Sequence, residues 1–146
     1  MIIGGVAGGA STAARLRRLD EQAEIILFEK GEYISYANCG LPYYIGGVIE
    51  ERERLFVQTP ESFKARFNIE VRIKSEVKAI EPENKQVVIK DWATGKTYRE
   101  AFDKLVLSPG AEPVLPPWEG IRTEGIFTLR NVADTDRIKA WAGRQE

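Results

Sequence analysis

The chain has 146 residues, of which 43% are hydrophobic, so it suits one domain and is large enough to bury a core. Its 21 basic and 22 acidic residues nearly cancel to a net charge of −1, so no overall field would draw it to nucleic acid or to an acidic membrane surface. Because the chain contains no histidine, Cys/His zinc sites and histidine-based hydrolytic triads are excluded, and we predict no metal site.

The sequence also shows no targeting pattern. Glycine follows the apolar residues 1–3 at once, without a basic segment or a cleavage site, so we expect no signal peptide. The apolar runs are too short to predict a membrane span. The single cysteine, Cys39, cannot form an internal disulfide, and a free thiol suits a reducing compartment. The predicted location is therefore the cytoplasm.

A strand, a helix and a second strand are predicted at the start of the chain. Residues 1–3 form a short buried strand that leads into a glycine cluster. Small residues and then Leu16 and Leu19 recur at helical spacing, with the arginines at positions 15, 17 and 18 facing outward, which predicts an amphipathic helix through about Leu19. Residues 24–29 (EIILFE) are an apolar run typical of a parallel strand that is covered on both faces.

The rest of the chain predicts a helix, an antiparallel sheet and a last helix. Residues 59–61 (TPE) supply the N-cap, the first-turn proline and the first-turn acid of a helix that runs to about Phe67. Residues 69–73 alternate as a strand does. Residues 75–107 contain several strands separated by turns, which predicts an antiparallel meander. A final helix is predicted over residues 132–141.

The glycine cluster has the spacing of a dinucleotide-binding turn. Such a site needs a tight turn, close backbone approach to the pyrophosphate and a helix N-terminus that faces its charge. Glu29 ends the second strand, twenty residues after Gly9, where its carboxylate can accept hydrogen bonds from a ribose. Valine replaces the middle glycine of the usual fingerprint, which would push the pyrophosphate slightly outward. A glycine-rich turn beside a surface glutamate is the alternative. The predicted cofactor-binding residues of the cluster are Gly4, Gly5, Val6, Ala7, Gly8 and Gly9.

A second turn is a candidate contact for the same ligand. Ser108, Pro109 and Gly110 follow the apolar run of residues 105–107, so a strand is expected to end there in a turn that approaches the cofactor. No second glycine fingerprint follows in the sequence. We therefore expect one bound dinucleotide.

Residues 35–47 (SYANCGLPYYIGG) are the most specific stretch of the chain. Together with the cluster at residues 4–9 and the segment 28–30 (FEK), this stretch closely resembles the coenzyme A-disulfide reductase and NADH oxidase branch of the pyridine nucleotide-disulfide oxidoreductases. The resemblance implies an α/β fold with a Rossmann-like FAD-binding domain, in which a parallel sheet carries an inserted antiparallel β-meander. It assigns residues 1–146 to that domain, and the nicotinamide-binding and C-terminal dimerisation domains would lie outside these residues.

The resemblance assigns the redox chemistry to Cys39, because in that branch a single cysteine lies beside the flavin. Without a second cysteine, its thiolate can form only a mixed disulfide with an outside thiol or be oxidised to a sulfenic acid. If residues 38–42 start a helix, the helix N-terminus would favour the nucleophilic thiolate. An inert buried cysteine is the alternative.

The resemblance also implies substrate contacts, since the residues that flank Cys39 look like the coenzyme A-disulfide reductase form. Two arginines of the first helix lie three residues apart and hence on one face, where two guanidinium groups could bind phosphates. A solvated helix face is the alternative reading of that pair. Lys30 is carried over as a flavin-side contact. The candidate coenzyme A contacts are Ser11, Arg15, Arg18, Ser35 and Asn38.

The activity implied by the resemblance is hydride transfer from NAD(P)H to FAD, followed by electron transfer to a Cys39 mixed disulfide and release of the reduced thiol. NAD(P)H would act only in the full-length enzyme, which we expect to be a homodimer, and the isolated chain should show little or no turnover. The enzymatic alternatives are an NADH oxidase or a polysulfide reductase that uses Cys39 as a sulfenate or persulfide carrier. A catalytically inactive nucleotide-binding fragment is the alternative from another class.

Overall fold

A computed structural model describes residues 1–144 of the chain. Within this range the strands are β1 (Ile2–Ile3), β2 (Ile26–Phe28), β3 (Glu70–Arg72), β4 (Ser75–Glu81), β5 (Gln86–Asp91), β6 (Thr97–Ala101) and β7 (Val106–Leu107). The α-helices are α1 (Gly8–Leu19), α2 (Leu41–Ile45), α3 (Pro60–Phe67) and α4 (Val132–Ala142). None of the described helices is long and apolar enough to cross a membrane.

The chain divides into two compact units. The first unit comprises residues 1–36 and 56–110, and the second comprises residues 37–55 together with the chain from Ala111 onward. The assignment of residues 1–146 to one FAD-binding domain stays a prediction.

A four-stranded parallel sheet with the order β3-β2-β1-β7 forms the centre of the first unit. Ile2 of β1 pairs with Leu27 of β2 on one side and with Val106 of β7 on the other. Parallel neighbours need a crossover connection, which α1 provides between β1 and β2. The strands β4, β5 and β6 form a separate antiparallel sheet inserted between β3 and β7. The predicted α/β fold with a parallel sheet and an inserted antiparallel meander is therefore confirmed.

The strand β2 is buried on both faces, as its apolar run predicts. Leu27 belongs to a core cluster that also contains Phe63 of α3, whereas Phe28 packs in a second cluster with Val87 and Ile89 of the meander. Successive side chains of a strand point to opposite faces, so one run of residues serves both clusters. The sheet thus has helices on one face and the meander on the other.

The helix α3 begins and ends with local signals that the sequence contains. Its N-cap, Thr59, accepts a hydrogen bond from the backbone N–H of Ser62, and the Ser62 hydroxyl accepts one from the backbone N–H of Thr59. This reciprocal capping box satisfies two backbone donors that no helical partner reaches. At the other end Asn68 takes the left-handed conformation (φ 47°) that stops the helix.

The apolar face predicted for α1 is confirmed for its small residues and wrong for its two leucines. Its buried face consists of the small residues Gly9, Ala10 and Ala13, whereas Leu16 and Leu19 are 38% and 65% exposed. A helix that lies close to a sheet buries small residues on the face toward it. Arg17 also does not face solvent as predicted: its guanidinium donates to the backbone oxygens of Phe67 (2.8 Å) and Asn68 (3.0 Å) at the end of α3.

Candidate functional site

The turn between β1 and α1 needs glycine because two backbone segments approach it closely. Gly4 has a positive φ of 96°, and a Cβ atom there would lie 1.9 Å from the carbonyl oxygen of Ser108. A Cβ atom at Gly9 would lie 1.7 Å from the carbonyl oxygen of Gly4. Side chains at these two positions would push the turn, α1 and the end of β7 apart. The glycines therefore form a narrow backbone cradle at the carboxyl end of the parallel sheet.

Glu29 is held at the edge of this cradle by backbone hydrogen bonds. The N–H of Gly5 donates to its Oε2 atom at 2.8 Å, and the N–H of Gly31 donates to its Oε1 atom at 2.7 Å. The residue is only 8% exposed. Each carboxylate oxygen retains further lone pairs, so the fixed carboxylate can still accept hydrogen bonds from a ligand hydroxyl. Its place differs from that of a surface glutamate, which was the alternative.

The N-terminus of α1 is not capped by a side chain. Its N-cap, Ala7, offers no side-chain acceptor, and the first turn contains no acidic residue. The first backbone N–H groups of a helix lack helical partners and carry partial positive charge, so this end can bind an anion. The neighbouring turn contributes Ser108, whose Oγ atom would lie 3.3 Å from a Cβ atom at Gly8.

The structure therefore brings together most of the residues predicted to contact a cofactor. The cluster at residues 4–9, the acid Glu29 and the turn at Ser108 meet at one edge of the sheet. Pro109 and Gly110 continue that turn in exposed positions, and Lys30 is exposed beside Glu29. The glycine cradle, the fixed acid and the uncapped helix end fit the pyrophosphate and ribose of a dinucleotide.

A cavity of about 310 Å³ opens between α1 and α3 in the first unit, and we refer to it as the α1–α3 cavity. Two of the residues predicted to contact coenzyme A, Ser11 and Ser35, line this cavity together. Arg15 and Arg18 lie exposed on the same helix as Ser11. The cavity is lined by Val6, Ala7, Ala10, Ser11, Ala14, Ser35, Tyr36, Val57, Gln58, Phe63 and Phe67.

Ser35 has an unusual backbone conformation for a residue with a side chain. Its φ of 47° lies in the left-handed region, which non-glycine residues occupy rarely. Its N–H donates to the carbonyl oxygen of Gly5 at 2.9 Å, and its own carbonyl oxygen accepts from the N–H of Val57 at 2.8 Å. These bonds hold Ser35 between the glycine turn and the residues that lead into α3. The strained position is fixed by its surroundings.

Cys39 lies in the second unit, at the start of a short helical segment. A 3-10 turn (Asn38–Gly40) carries the cysteine and leads directly into α2, so the helix start expected at residues 38–42 is confirmed. Asn38 and Cys39 are exposed, so the cysteine is not buried as in the alternative, and its redox role stays a prediction. The thiol of Cys39 therefore lies at the surface of the described part of the chain.

The segment that carries Cys39 is closed at its base. The N–H of Ala37 donates to the carbonyl oxygen of Leu55 at 2.8 Å, which joins the two ends of the segment. Gly40 is buried inside it, and a Cβ atom there would come within 3.2 Å of Leu55 and 3.3 Å of Ile49. Glycine beside the cysteine thus lets the 3-10 turn pack against this short loop.

The helix α4 supports the same segment with two polar contacts that sequence reasoning missed. The Nζ atom of Lys139 donates to the carbonyl oxygen of Tyr44 at 2.7 Å and lies 3.9 Å from the centre of its ring. Arg52 donates to both carboxylate oxygens of Asp136, at 2.9 and 2.8 Å. Asp136 and Lys139 are three residues apart and so share one face of α4. The three-residue spacing of Asp136 and Lys139 is the one sequence signal that could have indicated their contacts with the segment that carries Cys39.

Comparison with known proteins determines the family. The family model described as "Pyridine nucleotide-disulphide oxidoreductase" matches residues 1–145. The chain belongs to this family. The chain spans only 31% of the length of the first curated relatives that it matches. These members of the pyridine nucleotide-disulphide oxidoreductase family are therefore much longer than 146 residues.

Three relatives within the family show the extent of the similarity. Coenzyme A disulfide reductase from Staphylococcus aureus (strain JH9) is 45% identical over 138 residues, which is 94% of this chain and 31% of that protein. Reduced CoADR-RHD from Bacillus anthracis is 59% identical, with a TM-score of 0.96 over 99% of this chain and 26% of that one. The NAD-dependent persulfide reductase from A. fulgidus is 36% identical, with a TM-score of 0.92 over 98% of this chain and 26% of that one.

These findings confirm the resemblance inferred from residues 4–9, 28–30 and 35–47. They also confirm the fold class, because the neighbours share the α/β architecture over nearly the whole chain. The individual roles assigned to the site residues stay predictions. The sequence motifs did not indicate that the α1–α3 cavity is also lined by Gln58, Phe63 and Phe67. These three residues lie far along the chain from Ser11 and Ser35.

Proposed function

We propose that this chain is the FAD-binding, cysteine-bearing part of a flavin-dependent NAD(P)H:disulfide oxidoreductase that is most like coenzyme A disulfide reductase. The observation that carries the proposal is the exposed thiol of Cys39 at the start of a helical segment, in a chain that also builds a glycine cradle beside a fixed acid. The first relatives matched are coenzyme A disulfide reductases, which supports a coenzyme A disulfide as the substrate.

The residues of the cradle would bind the cofactor. The uncapped N-terminus of α1 and the glycines at residues 4–9 would hold the pyrophosphate of FAD, and Glu29 would accept hydrogen bonds from its ribose. Ser108 and the two residues after it would border the same ligand. When bound, FAD supplies two-electron transfer from NAD(P)H.

Cys39 would act as the nucleophile. Its thiolate attacks one sulfur of the substrate disulfide, the disulfide bond breaks, and a mixed disulfide forms between Cys39 and half of the substrate while the other half leaves as a thiolate that takes up a proton. This exchange moves no net electrons. Two electrons are then needed to reduce the mixed disulfide, restore the Cys39 thiolate and release the second thiol.

The partners and location are part of the same proposal. We expect a small disulfide or thiol such as coenzyme A as the partner, with no nucleic acid or membrane, and a homodimer for the full-length enzyme. The exposed thiol of Cys39, the one cysteine of the chain, suits a reducing cytoplasm.

Two measurements on the 146-residue chain test the proposal. Incubation with FAD followed by gel filtration should leave flavin absorbance with the protein. After reduction and removal of the reductant, coenzyme A disulfide should add the mass of one coenzyme A to the intact protein, and Cys39→Ser should abolish the adduct. Absence of both signals would refute the proposal, and an adduct that persists in Cys39→Ser would refute the role of Cys39.

A second candidate function is persulfide or polysulfide reduction, which the similarity to the persulfide reductase from A. fulgidus favours. In that case Cys39 would carry an additional sulfur atom rather than a coenzyme A moiety. The same intact-mass experiment separates the two candidates when the protein is offered polysulfide and coenzyme A disulfide in parallel. Addition of sulfur alone would favour the second function.

A further inference from the structure

We propose that Lys139 of α4 is a positioning residue for Cys39. Its ammonium group fixes the end of α2, the short helix that follows the cysteine, and thereby fixes the direction in which the exposed thiol is presented. The inference rests on the proposed function, because it concerns the attack of Cys39 on a substrate disulfide. It adds to that reaction a residue that lies far along the chain but within the same compact unit.

The helix α2 is too short to keep its orientation by itself. It has five residues, whereas isolated helices of fewer than about 12–15 residues are marginally stable in water. Leu41, at its start, is its one buried residue. The far end of α2 therefore depends on contacts from another element to hold it in place.

The contact with Lys139 lies where α2 lacks helical partners. The last carbonyl groups of a helix have no helical N–H to accept from, and a cation near them is favourable. The carbonyl oxygen of Tyr44 accepts from the N–H of Gly47 at a long 3.3 Å and from the Nζ atom of Lys139 at 2.7 Å. The same Nζ atom lies 3.9 Å from the centre of the Tyr44 ring, within the range of a cation–π contact. One ammonium group thus binds both the main chain and the side chain of Tyr44.

The helix α4 gives Lys139 a firm base. It begins with a reciprocal capping box, in which the Asn131 side chain accepts from the N–H of Asp134 at 2.9 Å and the Asp134 carboxylate accepts from the N–H of Asn131 at 3.2 Å. Val132 and Thr135 of its first turns are 1% and 0% exposed. A helix start that is capped and buried in this way moves little, so the position of Lys139 is well defined.

A second contact of α4 holds the other end of the cysteine-bearing segment. Arg52 donates to both carboxylate oxygens of Asp136, a paired geometry that fixes direction as well as distance. Between the two contacts Gly40 is buried against the segment's own side chains, so it is the fixed point nearest to the thiol. When the contact of Lys139 is lost, the freed end of α2 can turn about Gly40, and Cys39 on the other side of Gly40 turns with it.

The direction of the thiol matters most for a bulky disulfide. Such a substrate reaches the sulfur only along directions that the neighbouring chain leaves open, whereas a small alkylating reagent reaches it from most directions. A misplacement of about 1 Å can slow a positioned reaction by about 100-fold. The rate with a large disulfide relative to the rate with a small reagent therefore reports on positioning.

The variant Lys139→Met tests the inference, because it removes the ammonium group and keeps an unbranched side chain that suits a helix. Its matched control is Lys64→Met, the same substitution at an exposed position of α3. Lys139→Arg keeps a positive charge and an N–H donor. Intact mass spectrometry of the reduced chain measures two rate constants at Cys39: formation of the mixed disulfide with coenzyme A disulfide, and alkylation by iodoacetamide with release of iodide.

We expect Lys139→Met to react with coenzyme A disulfide at least about tenfold more slowly than Lys64→Met, and with iodoacetamide within about twofold of it. Lys139→Arg should restore most of the lost rate. Equal rates for the two methionine variants with coenzyme A disulfide would overturn the inference and leave the proposed function standing. A parallel change with both reagents, or no recovery in Lys139→Arg, would indicate a general structural effect and would also overturn it. No adduct in the unsubstituted chain would refute the proposed function itself.

Discussion

Replacement of Gly9 by alanine should destabilise the first unit, because the added methyl group has no room. A Cβ atom at this position would lie 1.7 Å from the carbonyl oxygen of Gly4 and 3.2 Å from Cγ2 of Ile2. The first contact is with the main chain, so relief requires α1 to move away from β1 by well over an ångström. Overpacking of this kind costs about 1–3 kcal/mol, and a backbone clash belongs at the upper end. After an offset of at most about 1 kcal/mol for the helix propensity of alanine, we expect a net loss of about 2 kcal/mol.

Gly8→Ala is the matched control for this prediction. A Cβ atom at Gly8 would lie 3.3 Å from the Oγ atom of Ser108, a small side chain that can rotate, so its stability should change by less than about 1 kcal/mol. Urea unfolding followed by circular dichroism measures both variants. FAD titration should show weaker binding for Gly9→Ala, since the helix end that would face the pyrophosphate has moved. Equal unfolding midpoints for the two variants would refute the packing argument.

Two further predictions concern the carboxylates of the first unit. Glu29→Gln should lower the free energy of unfolding by about 1–3 kcal/mol, because one of the N–H groups of Gly5 and Gly31 would then face an amide N–H2 group. Thermal denaturation measures this loss, and an unchanged melting temperature would contradict the prediction. Hydrogen bonds from the Thr94 side chain and backbone lower the pKa of Asp91, so its stabilising contribution is complete above its unfolded pKa, near about pH 4, and is lost as the pH falls through the lower folded value. Thr94→Val should therefore reduce the loss of stability as the pH falls below about 4 in a series of melting curves, and an unchanged loss of stability on acidification would argue against this role.

The sequence was sufficient to predict the central β-α-β unit and the meander, because these elements have strong local signals. The apolar run at residues 24–29 predicts a doubly covered strand, and β2 is buried on both faces. The Thr59 cap and the following proline predict α3, which begins at Pro60 and ends at Phe67 as expected. The last helix was also predicted, with an end one residue short of its actual end at Ala142.

The sequence was not sufficient where distant segments meet. The small residues of α1 are buried as the pattern predicted, but Leu16 and Leu19, assigned to the same face, are exposed. The α1–α3 cavity depends on Phe63 and Phe67, whose spacing indicates only a helix with an apolar face. The contact of Lys139 with the Tyr44 carbonyl joins residues 95 positions apart, and no local pattern encodes such a partner.

The guanidinium of Arg17 has a consequence for ligand selection. The Arg17 side chain, which extends from α1, donates hydrogen bonds to main-chain oxygens at the end of α3. It therefore links the two helices that border the α1–α3 cavity. The width of the cavity opening is thereby fixed before a ligand binds, which reduces the conformational entropy that the protein loses on binding. Changes to the lining side chains can then retune which molecules enter, while the spacing of the two helices and the glycine cradle stay as they are.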